Sequence, residues 1–327
     1  MKREEVIIVG GGPCGLAAAI ALENAGFHPL VIEKGNIVNA IYNYPTHQTF
    51  FSSADKLEIG DVPFVNEQRK PTRNQALSYY REVVNRKDLR VHAFERVNKI
   101  EKQASGVFTV YTTKSHDEHV TYEADSVVIA TGYYDNPNMM GVPGEEKPHV
   151  LHYFKEAHPY FDKDIVVIGG KNSAVDAALE LNKAGARSIT ALYRGSTYSA
   201  SVKPWILPEF EALVRHGQVD MHFNAIIKEI TDNEVLFVVN GEEKRAKADF
   251  VFAMTGYKPD HSFLQKMKIN IDAETGRPLY NPETMETNVE GAFIAGVIAA
   301  GNNANEIFIE NGRFHGQLIA EELQKRK

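Results

Sequence analysis

The 327-residue sequence predicts an α/β protein in which one parallel-sheet domain is inserted into another. Two units of strand, glycine turn and helix, starting at Val6 and Ile165, support this prediction. Each unit is followed downstream by an apolar strand that ends in Thr-Gly, "SVVIATG" and "FVFAMTG". Strands that alternate with helices build parallel sheets. We expect the late apolar strand "GAFIAG" to return to the first domain.

Composition narrows the functional classes. Hydrophobic residues make up 43% and charged residues 24%, as in soluble globular proteins. The formal charge of −7 shows no excess of Lys and Arg, so nucleic acid is not an expected partner. No apolar run approaches the roughly 18 residues of a membrane span. One cysteine, Cys14, cannot form an intramolecular disulfide, which favours a cytoplasmic protein.

The first glycine turn has the spacing of a dinucleotide-binding motif. A β-branched strand, Val6–Val9, runs into Gly10, Gly12 and Gly15, and "LAAAIALENAG" then predicts a helix. In such motifs the first glycine makes the turn, the second admits a pyrophosphate, and the third lets helix and strand approach. The next strand ends on Glu33, 18 residues after Gly15, where an acid accepts hydrogen bonds from an adenosine ribose.

The second turn, in "DIVVIGGKNSAVDAALELNKAGA", departs from this pattern. Gly169 and Gly170 follow the strand, and Ala174 is small enough to replace the third glycine. Lys171 stands where the second glycine is expected. Its side chain must point away from bound phosphates or add its charge to them. A turn that binds no nucleotide remains an alternative.

Arg194 follows the next strand, 20 residues after Ala174, where an acid selects an unmodified ribose. A guanidinium there favours a 2′-phosphate, and so NADPH over NADH. An ordinary surface arginine is the alternative.

The order of these motifs predicts the domain boundaries. The outer domain covers residues 1–140 and 258–327, and the inner one covers residues 141–257. Segment 100–123 and "IKEITDNEVLFVVNGEEKRAKADFVF" each predict small antiparallel strands.

Taken together, the two turns, "ATG", "MTG" and "GAFIAG" resemble the flavin-dependent pyridine nucleotide disulfide reductases, particularly the short thioredoxin-reductase-like branch. The resemblance implies two nested Rossmann-like dinucleotide-binding domains, an FAD domain with an inserted NADPH domain. For FAD it implicates Gly10, Gly12, Pro13, Gly15, Glu33, Lys34, His47, Gln48, Val97, Thr131, Gly132, Gly296 and Val297. For NADPH it implicates Gly169, Gly170, Asn172, Ser173, Ala174 and Arg194.

Two departures narrow the resemblance. Thioredoxin reductases carry a CxxC pair before the second turn, whereas "HYFKEAHPYFDKD" has no cysteine. Val297 stands where the family has an aspartate that meets the flavin's ribityl chain. With "GGGPCG" and "GGKNSA", the chain resembles the bacillithiol disulfide reductases. That resemblance implies reduction of a low-molecular-weight thiol disulfide, with Cys14 as the redox residue.

The position of Cys14 in the first glycine turn affects the ionisation of its thiol. A helix N-terminus favours thiolate, while a bound pyrophosphate opposes it. In the single-cysteine hypothesis, Cys14 forms a mixed disulfide with the substrate, which is resolved with NADPH electrons delivered through FAD. The alternative is a small packing residue without reactivity.

Weaker candidates complete the set. The segment around residues 44–49 falls where relatives contact the flavin, and loop packing is the alternative for its candidates Tyr44, His47, Gln48 and Thr49. His152 and His158 are candidate proton donors, with a structural role as the alternative. Trp205 is expected to pack a loop. No residue spacing predicts a metal site.

Three other functions stay open from the sequence. They are a ferredoxin or flavodoxin reductase, a flavin monooxygenase and a non-catalytic redox sensor. A homo-oligomer, either a dimer or a tetramer, is expected from the relatives.

Overall fold

The structure, a computed structural model, describes residues 2–303 and 305–327. The chain divides into two compact units. The first comprises Met1–Asn136 and Tyr257–Lys327, and the second comprises Pro137–Gly256.

The N-terminal part of the first unit alternates strands and helices. Its strands are β1 (Lys2–Val9), β2 (Leu30–Ile32), β3 (Val91–His92), β4 (Glu95–Lys102), β5 (Phe108–Lys114) and β6 (His119–Ile129). Its helices are α1 (Pro13–Asn24), α2 (Asn39–Tyr42), α3 (Ala54–Leu57) and α4 (Arg73–Arg86).

The second unit follows. Its strands are β7 (Val150–Leu151), β8 (Asp164–Ile168), β9 (Ser188–Leu192), β10 (Asp220–His222), β11 (Ala225–Ile230), β12 (Glu234–Val239), β13 (Glu242–Lys247) and β14 (Phe250–Ala253). Its helices are α5 (Asn172–Lys183) and α6 (Leu207–Arg215). The chain then returns to the first unit with α7 (His261–Lys266), β15 (Ala292–Ile294), α8 (Ile309–Gly312) and α9 (His315–Gln324).

The first unit is built on one mixed sheet. In its parallel part, β3, β2, β1 and β6 are neighbours in that order, and β15 pairs with the end of β6. The start of β6 pairs with β5 instead, and β5 with β4, both antiparallel. The pairs Val9–Ile32, Val9–Ile129 and Ile129–Ile294 align the carboxyl ends of four parallel strands. Residues that follow these strands therefore lie along one edge.

The sequence places the first strand too late. The apolar run predicts Val6–Val9, but β1 starts at Lys2, because Lys2, Arg3 and Glu4 continue the pairing with Tyr122, Glu123 and Ala124 of β6. Backbone pairing, which hydropathy does not report, extends the strand into a polar segment.

The second unit contains a parallel sheet and a separate antiparallel one. The parallel order is β10, β9, β8, β14 and β7, and β11, β12 and β13 form the antiparallel sheet. Ile168 aligns with Leu192 and with Ala253, so Gly169 begins its turn at the carboxyl edge of the sheet. Helix α5 buries Ala174, Val175 and Leu179 in this unit's core.

Candidate functional site

The first glycine turn joins β1 to α1 at the carboxyl edge of the first sheet. Gly10 has φ +112°, and a Cβ there would overlap the Ala130 carbonyl oxygen. A Cβ at Gly15 would overlap the Gly10 carbonyl oxygen. By contrast, Gly12 has φ −74°, and a Cβ there would meet nothing within 4 Å. Gly12 and Pro13, the first helical residue, thus leave the α1 N-terminus open to an anionic group.

Glu33 supports the same turn from the end of β2. It is 6% exposed, and its two oxygens accept hydrogen bonds from the N–H groups of Gly11 (2.7 Å) and Gly35 (2.8 Å). Burial raises the pKa of this carboxyl, while the two N–H donors act in the opposite direction. A Cβ at Gly11 would come within 3.0 Å of the Glu33 Cβ. Since each oxygen keeps a second lone pair, Glu33 can hold the turn and still accept hydrogen bonds from a ribose.

Two further predicted residues lie near Glu33. Lys34 forms an ion pair of 2.7 Å with Asp135. Val97 packs against the core of the first unit from β4. The start of β4 adjoins Glu33, because the Glu95 N–H donates to the Glu33 carbonyl oxygen (2.9 Å).

Thr131 and Gly132 come from the end of β6. This end lies beside the turn, because the Ala130 N–H donates to the Val9 carbonyl oxygen (2.8 Å). Thr131 Oγ1 is buried and has no hydrogen-bond partner among the described residues. Gly132 has φ +68°, and a Cβ there would meet nothing within 4 Å. A buried hydroxyl without a partner is unfavourable by about 1–3 kcal/mol, which points to a ligand that satisfies it.

Gly296 reaches the same edge after β15, where the Ala295 N–H donates to the Ile129 carbonyl oxygen (2.9 Å). Gly296 has φ +78°, and its N–H donates to Nδ1 of His315 (3.1 Å). Burial lowers the pKa of His315, which keeps the imidazole neutral and Nδ1 able to accept. Val297 begins a short 3₁₀ turn and offers no polar side-chain group. His315 is therefore the polar side chain that holds this backbone.

Cys14 is the second residue of α1 and packs between two glycines from the C-terminal part of the chain. A Cβ added to Gly296 would lie 2.9 Å from Cys14 Cβ, and one added to Gly312 would lie 2.9 Å from Sγ. The sulfur makes no hydrogen bond within the described ranges. Only glycine at both positions leaves room for the cysteine side chain.

The protonation state of Cys14 follows from this packing. Burial raises the pKa of the thiol to about 12, and the Glu310 carboxylate acts in the same direction. The α1 N-terminus acts in the opposite direction and favours thiolate. In this arrangement Cys14 is a thiol.

Tyr44 lies among aromatic rings. Its ring centroid is 6.1 Å from that of Phe50 and 5.1 Å from that of Tyr134. Burial raises the pKa of the Tyr44 phenol. This phenol therefore stays protonated at neutral pH and able to donate a hydrogen bond.

Arg73 holds the neighbouring loop. It is 7% exposed. Its backbone N–H donates to the Gln48 carbonyl oxygen (2.8 Å), and Nη2 of its guanidinium donates to the Tyr42 carbonyl oxygen. It has no carboxylate partner in the described part of the chain, and its buried Nε has no hydrogen-bond partner there. His47 and Thr49 are exposed. Arg73 thus fixes the segment that the sequence predicts to face the flavin.

The second glycine turn is closed by different neighbours. Gly169 has φ +147°, and a Cβ there would lie 2.6 Å from the Met254 carbonyl oxygen and 3.0 Å from Ala174 Cβ. A Cβ at Gly170 would overlap the ring of Tyr193, which follows β9. Ala174 therefore fits as the third small residue of the turn, and Tyr193 lies directly over Gly170.

Two cations lie at this edge of the second sheet. Lys171 precedes α5 with an extended backbone (φ −112°), and its side chain is exposed. Arg194 is also exposed. Neither forms an ion pair with any residue that the structure describes. Both are free to bind an anion.

Asn172 has a structural task. Its Nδ2 donates to the Ser201 carbonyl oxygen (3.0 Å), and its Oδ1 accepts from the Lys203 N–H (2.9 Å). It therefore holds the 201–203 segment against the turn. Ser173 is exposed in the first turn of α5.

The remaining candidates lie elsewhere in the second unit. His152 Nε2 is 3.9 Å from a carboxylate oxygen of Glu145, and His158 lies in a short 3₁₀ segment. Trp205 is 55% exposed, with the Lys203 ammonium 5.9 Å from its ring centroid. Residues 2–303 and 305–327 contain no cluster of His, Cys, Asp or Glu that could hold a metal ion.

Several residues of these sites carry no signal that the sequence analysis used. They are Gly11, Arg73, Tyr193, Gly312 and His315. The run of three glycines at residues 10–12 could have indicated Gly11. The others depend on contacts between distant segments.

None of the helices in the described ranges is both long and apolar enough to cross a membrane.

Comparison with known proteins agrees with this geometry. The family model described as pyridine nucleotide-disulphide oxidoreductase matches residues 7–296. The chain is 67% identical to "Bacilliredoxin reductase Bdr" of Bacillus subtilis, over 100% of this chain and 99% of that protein. A solved structure of bacillithiol disulfide reductase Bdr from Bacillus cereus is 68% identical, with TM-score 0.98 and full coverage of both chains.

A more distant structure establishes the fold class. Thioredoxin reductase of T. acidophilum, 22% identical, superposes with TM-score 0.77 over 100% of this chain and 99% of that one. The thioredoxin-reductase-like α/β fold expected from the sequence is thereby confirmed. On the evidence of these matches, the chain belongs to the pyridine nucleotide-disulphide oxidoreductases and, among them, to the bacillithiol disulfide reductase family.

Proposed function

We propose that this chain is an NADPH-dependent flavoprotein that reduces the disulfide of bacillithiol. The observation that carries the proposal is the 68% identity over the whole chain with the bacillithiol disulfide reductase of Bacillus cereus. The missing CxxC pair agrees with it, because a dithiol reductase of the thioredoxin reductase type needs two cysteines and this chain has one.

We assign FAD to the first unit, whose bounds differ by a few residues from those of the predicted domain of residues 1–140 and 258–327. The open space at Gly12 suits a pyrophosphate at the α1 N-terminus. Glu33 has lone pairs left for the adenosine ribose, and the unsatisfied Thr131 Oγ1 can bond to the cofactor. These features fit a bound dinucleotide.

We assign NADPH to the second unit, Pro137–Gly256, which the sequence predicts as residues 141–257. Gly169, Gly170 and Ala174 provide the turn, and Arg194 provides an exposed guanidinium without an ion-pair partner in the described ranges. A 2′-phosphate can accept two parallel hydrogen bonds from such a group. Lys171 adds a second positive charge near the phosphates.

The reaction consumes one NADPH, one proton and one disulfide, and it releases NADP⁺ and two thiols. Bound FAD supplies the transfer of the NADPH electron pair to the disulfide sulfur. In the proposed role of Cys14, its thiolate sulfur forms a bond to one substrate sulfur while the substrate S–S bond breaks. The departing thiolate takes up a proton, and the mixed disulfide then accepts the electron pair and proton of the NADPH hydride, which releases the second thiol and restores the Cys14 thiolate.

A second candidate gives Cys14 no covalent role. The observation that favours it is the raised pKa of a thiol packed between Gly296 and Gly312. Substrate reduction would then proceed without a protein–substrate disulfide, and Cys14 would only fill space.

Turnover of the Cys14→Ala variant separates these candidates. NADPH oxidation is measured with purified flavoprotein against the disulfides of bacillithiol, glutathione, coenzyme A and cysteine. Preference for bacillithiol disulfide supports the proposed substrate, and equal rates with all four contradict it. Loss of turnover in Cys14→Ala, with FAD retained, supports the covalent role. Full turnover in that variant contradicts the covalent role.

Location and assembly complete the proposal. A single cysteine suits a reducing cytoplasm. A homo-oligomer is supported by the exposed aromatic side chains Phe51, Phe308 and Phe314 of the first unit. Light scattering measures the molar mass, and a monomer at micromolar concentration contradicts this part.

A further inference from the structure

Helix α8, Ile309–Gly312, lies directly over the sulfur of Cys14. Gly312 is buried, and a Cβ there would lie 2.9 Å from Sγ and 3.2 Å from the Ile307 side chain. Gly296 occupies a second side of the same sulfur, with its own added Cβ 3.1 Å from Sγ. Bonded sulfurs are about 2.0 Å apart, so a substrate sulfur cannot approach Sγ from these two sides.

Polar side chains attach α8 to the neighbouring α3 region. Ser52 Oγ donates a hydrogen bond to Glu310 Oε1. Arg313, the residue after α8, donates from Nη1 to the carbonyl oxygens of Glu58 (2.6 Å) and Asp55 (3.1 Å). Because the attachment depends on a few side chains, single substitutions can loosen it without removing core residues.

The charges around Cys14 come from several elements. Glu310 on α8 is the charged group that raises the pKa of Cys14 within the described part of the chain. Tyr44 and Tyr80 also face this region, and burial raises the pKa of both phenols, so both are neutral at pH 7. The Arg313 guanidinium acts in the opposite direction to burial and lowers the pKa of Tyr80. Thus Glu310 is the charged group that acts on the thiol itself, two neutral phenols face it, and the Arg313 cation acts on one of those phenols.

We propose that the α8 turn is a cover that slows the reactions of Cys14, in which Gly312 blocks one side of the sulfur and Glu310 places a negative charge beside it. The inference rests on the proposed function, in which Cys14 has to meet a substrate disulfide. Cys14 is partly exposed, so the block is confined to the two sides that Gly296 and Gly312 occupy. A substrate sulfur that approaches from the α8 side can reach Sγ only after the turn withdraws from α1. Withdrawal removes both the steric block and the nearby negative charge, and Sγ loses its proton to solvent as the thiolate forms.

The single cysteine provides a direct test in the FAD-loaded enzyme. Iodoacetamide alkylates a thiolate sulfur and releases iodide, and with one cysteine in the chain every alkylated protein reports on Cys14. The rate is measured by intact mass between pH 7 and 10, in wild type and in Glu310→Gln, Glu310→Asp and Arg313→Met. Glu321→Gln, an exposed change on α9, is the matched control for loss of a carboxylate.

The cover predicts a specific pattern of rates. Glu310→Gln keeps the acceptor for Ser52 and removes the charge, so alkylation should accelerate by at least about threefold and its pH profile should shift to lower pH by half a unit or more. Glu310→Asp should restore a slow rate. Arg313→Met should accelerate alkylation by at least about tenfold, the equivalent of one pKa unit. Glu321→Gln should match wild type.

Unchanged alkylation in both Glu310→Gln and Arg313→Met, with FAD absorbance and unfolding midpoints like wild type, would overturn the cover. Fast alkylation of the wild type at pH 7 would overturn it as well. Failure of the proposed function shows in a different measurement, since Cys14→Ala turnover does not depend on the alkylation rates.

Discussion

The Nδ1 atom of His315 accepts a hydrogen bond of 3.1 Å from the backbone N–H of Gly296, the residue that also lies against Cys14. An imidazole can accept at Nδ1 only when that nitrogen carries no proton. The Gly296 backbone beside the first glycine turn is therefore organised by a neutral histidine.

This relationship predicts an acid-sensitive stability. Burial lowers the pKa of His315 below its ordinary value of 6.5. A lowered folded-state pKa contributes stability above pH 6.5, and that contribution is lost as the pH falls through the folded-state value, by at most about 1.4 kcal/mol per pH unit. Urea unfolding at pH 7.5 and 5.5 should show a larger loss for wild type than for His315→Gln, which can accept the same hydrogen bond without titrating. Equal losses would contradict the prediction.

The two glycines of the first turn should respond differently to alanine. Gly12→Ala should leave the free energy of unfolding of the apoprotein unchanged within about 0.5 kcal/mol, because the new Cβ meets no protein atom. It should nevertheless weaken FAD retention. Gly15→Ala, whose Cβ would overlap the Gly10 carbonyl oxygen, should destabilise the apoprotein by about 2 kcal/mol or more. Urea denaturation and flavin content after gel filtration give both results, and equal behaviour of the variants would refute the distinction.

Arg194 should determine the choice of nicotinamide nucleotide. Its exposed guanidinium has no ion-pair partner in the described ranges. Arg194→Gln should raise KM for NADPH by about tenfold or more, the equivalent of about 1.4 kcal/mol, while KM for NADH changes little. Steady-state kinetics with both nucleotides is the measurement, and Lys266→Gln, at an exposed lysine of the first unit, is the control. A parallel rise for NADH would mean that Arg194 does not contact a 2′-phosphate.

Arg73 should stabilise the loop before Thr49. Its guanidinium is buried without a carboxylate partner in the described part of the chain and donates to the Tyr42 carbonyl oxygen. Arg73→Met should destabilise the protein by about 2 kcal/mol, typical for a hydrogen bond from a charged group. We expect Arg73→Lys to recover part of this loss, since its ammonium can donate to one acceptor. The measurement is thermal unfolding with and without added FAD. An Arg73→Met protein as stable as wild type would contradict the prediction.

Most of the first site follows from order along the chain. The positions of Gly10, Gly12, Gly15 and Glu33 after two apolar strands predict a turn and an acid at one sheet edge, because parallel strands end together. The structure adds that Glu33 binds the Gly11 N–H, so the acid also shapes the turn. That contact depends on the close approach of two backbones, which spacing alone does not report.

The second site was less predictable. Ala174 could be expected as the third small residue, and it does lie against Gly169. The ring of Tyr193 over Gly170 depends on the register of β9 with β8, which the sequence leaves open.

The sequence by itself determined the α/β class, the two glycine turns and the single cysteine within the first turn, because strand hydropathy and glycine spacing are local properties. Tertiary structure decided the state of Cys14. Gly296, Gly312 and Glu310 lie nearly 300 residues away along the chain, yet they supply the packing and charge that raise the thiol pKa to about 12. Burial and Coulomb interactions depend on distance in space, and only the fold sets that distance.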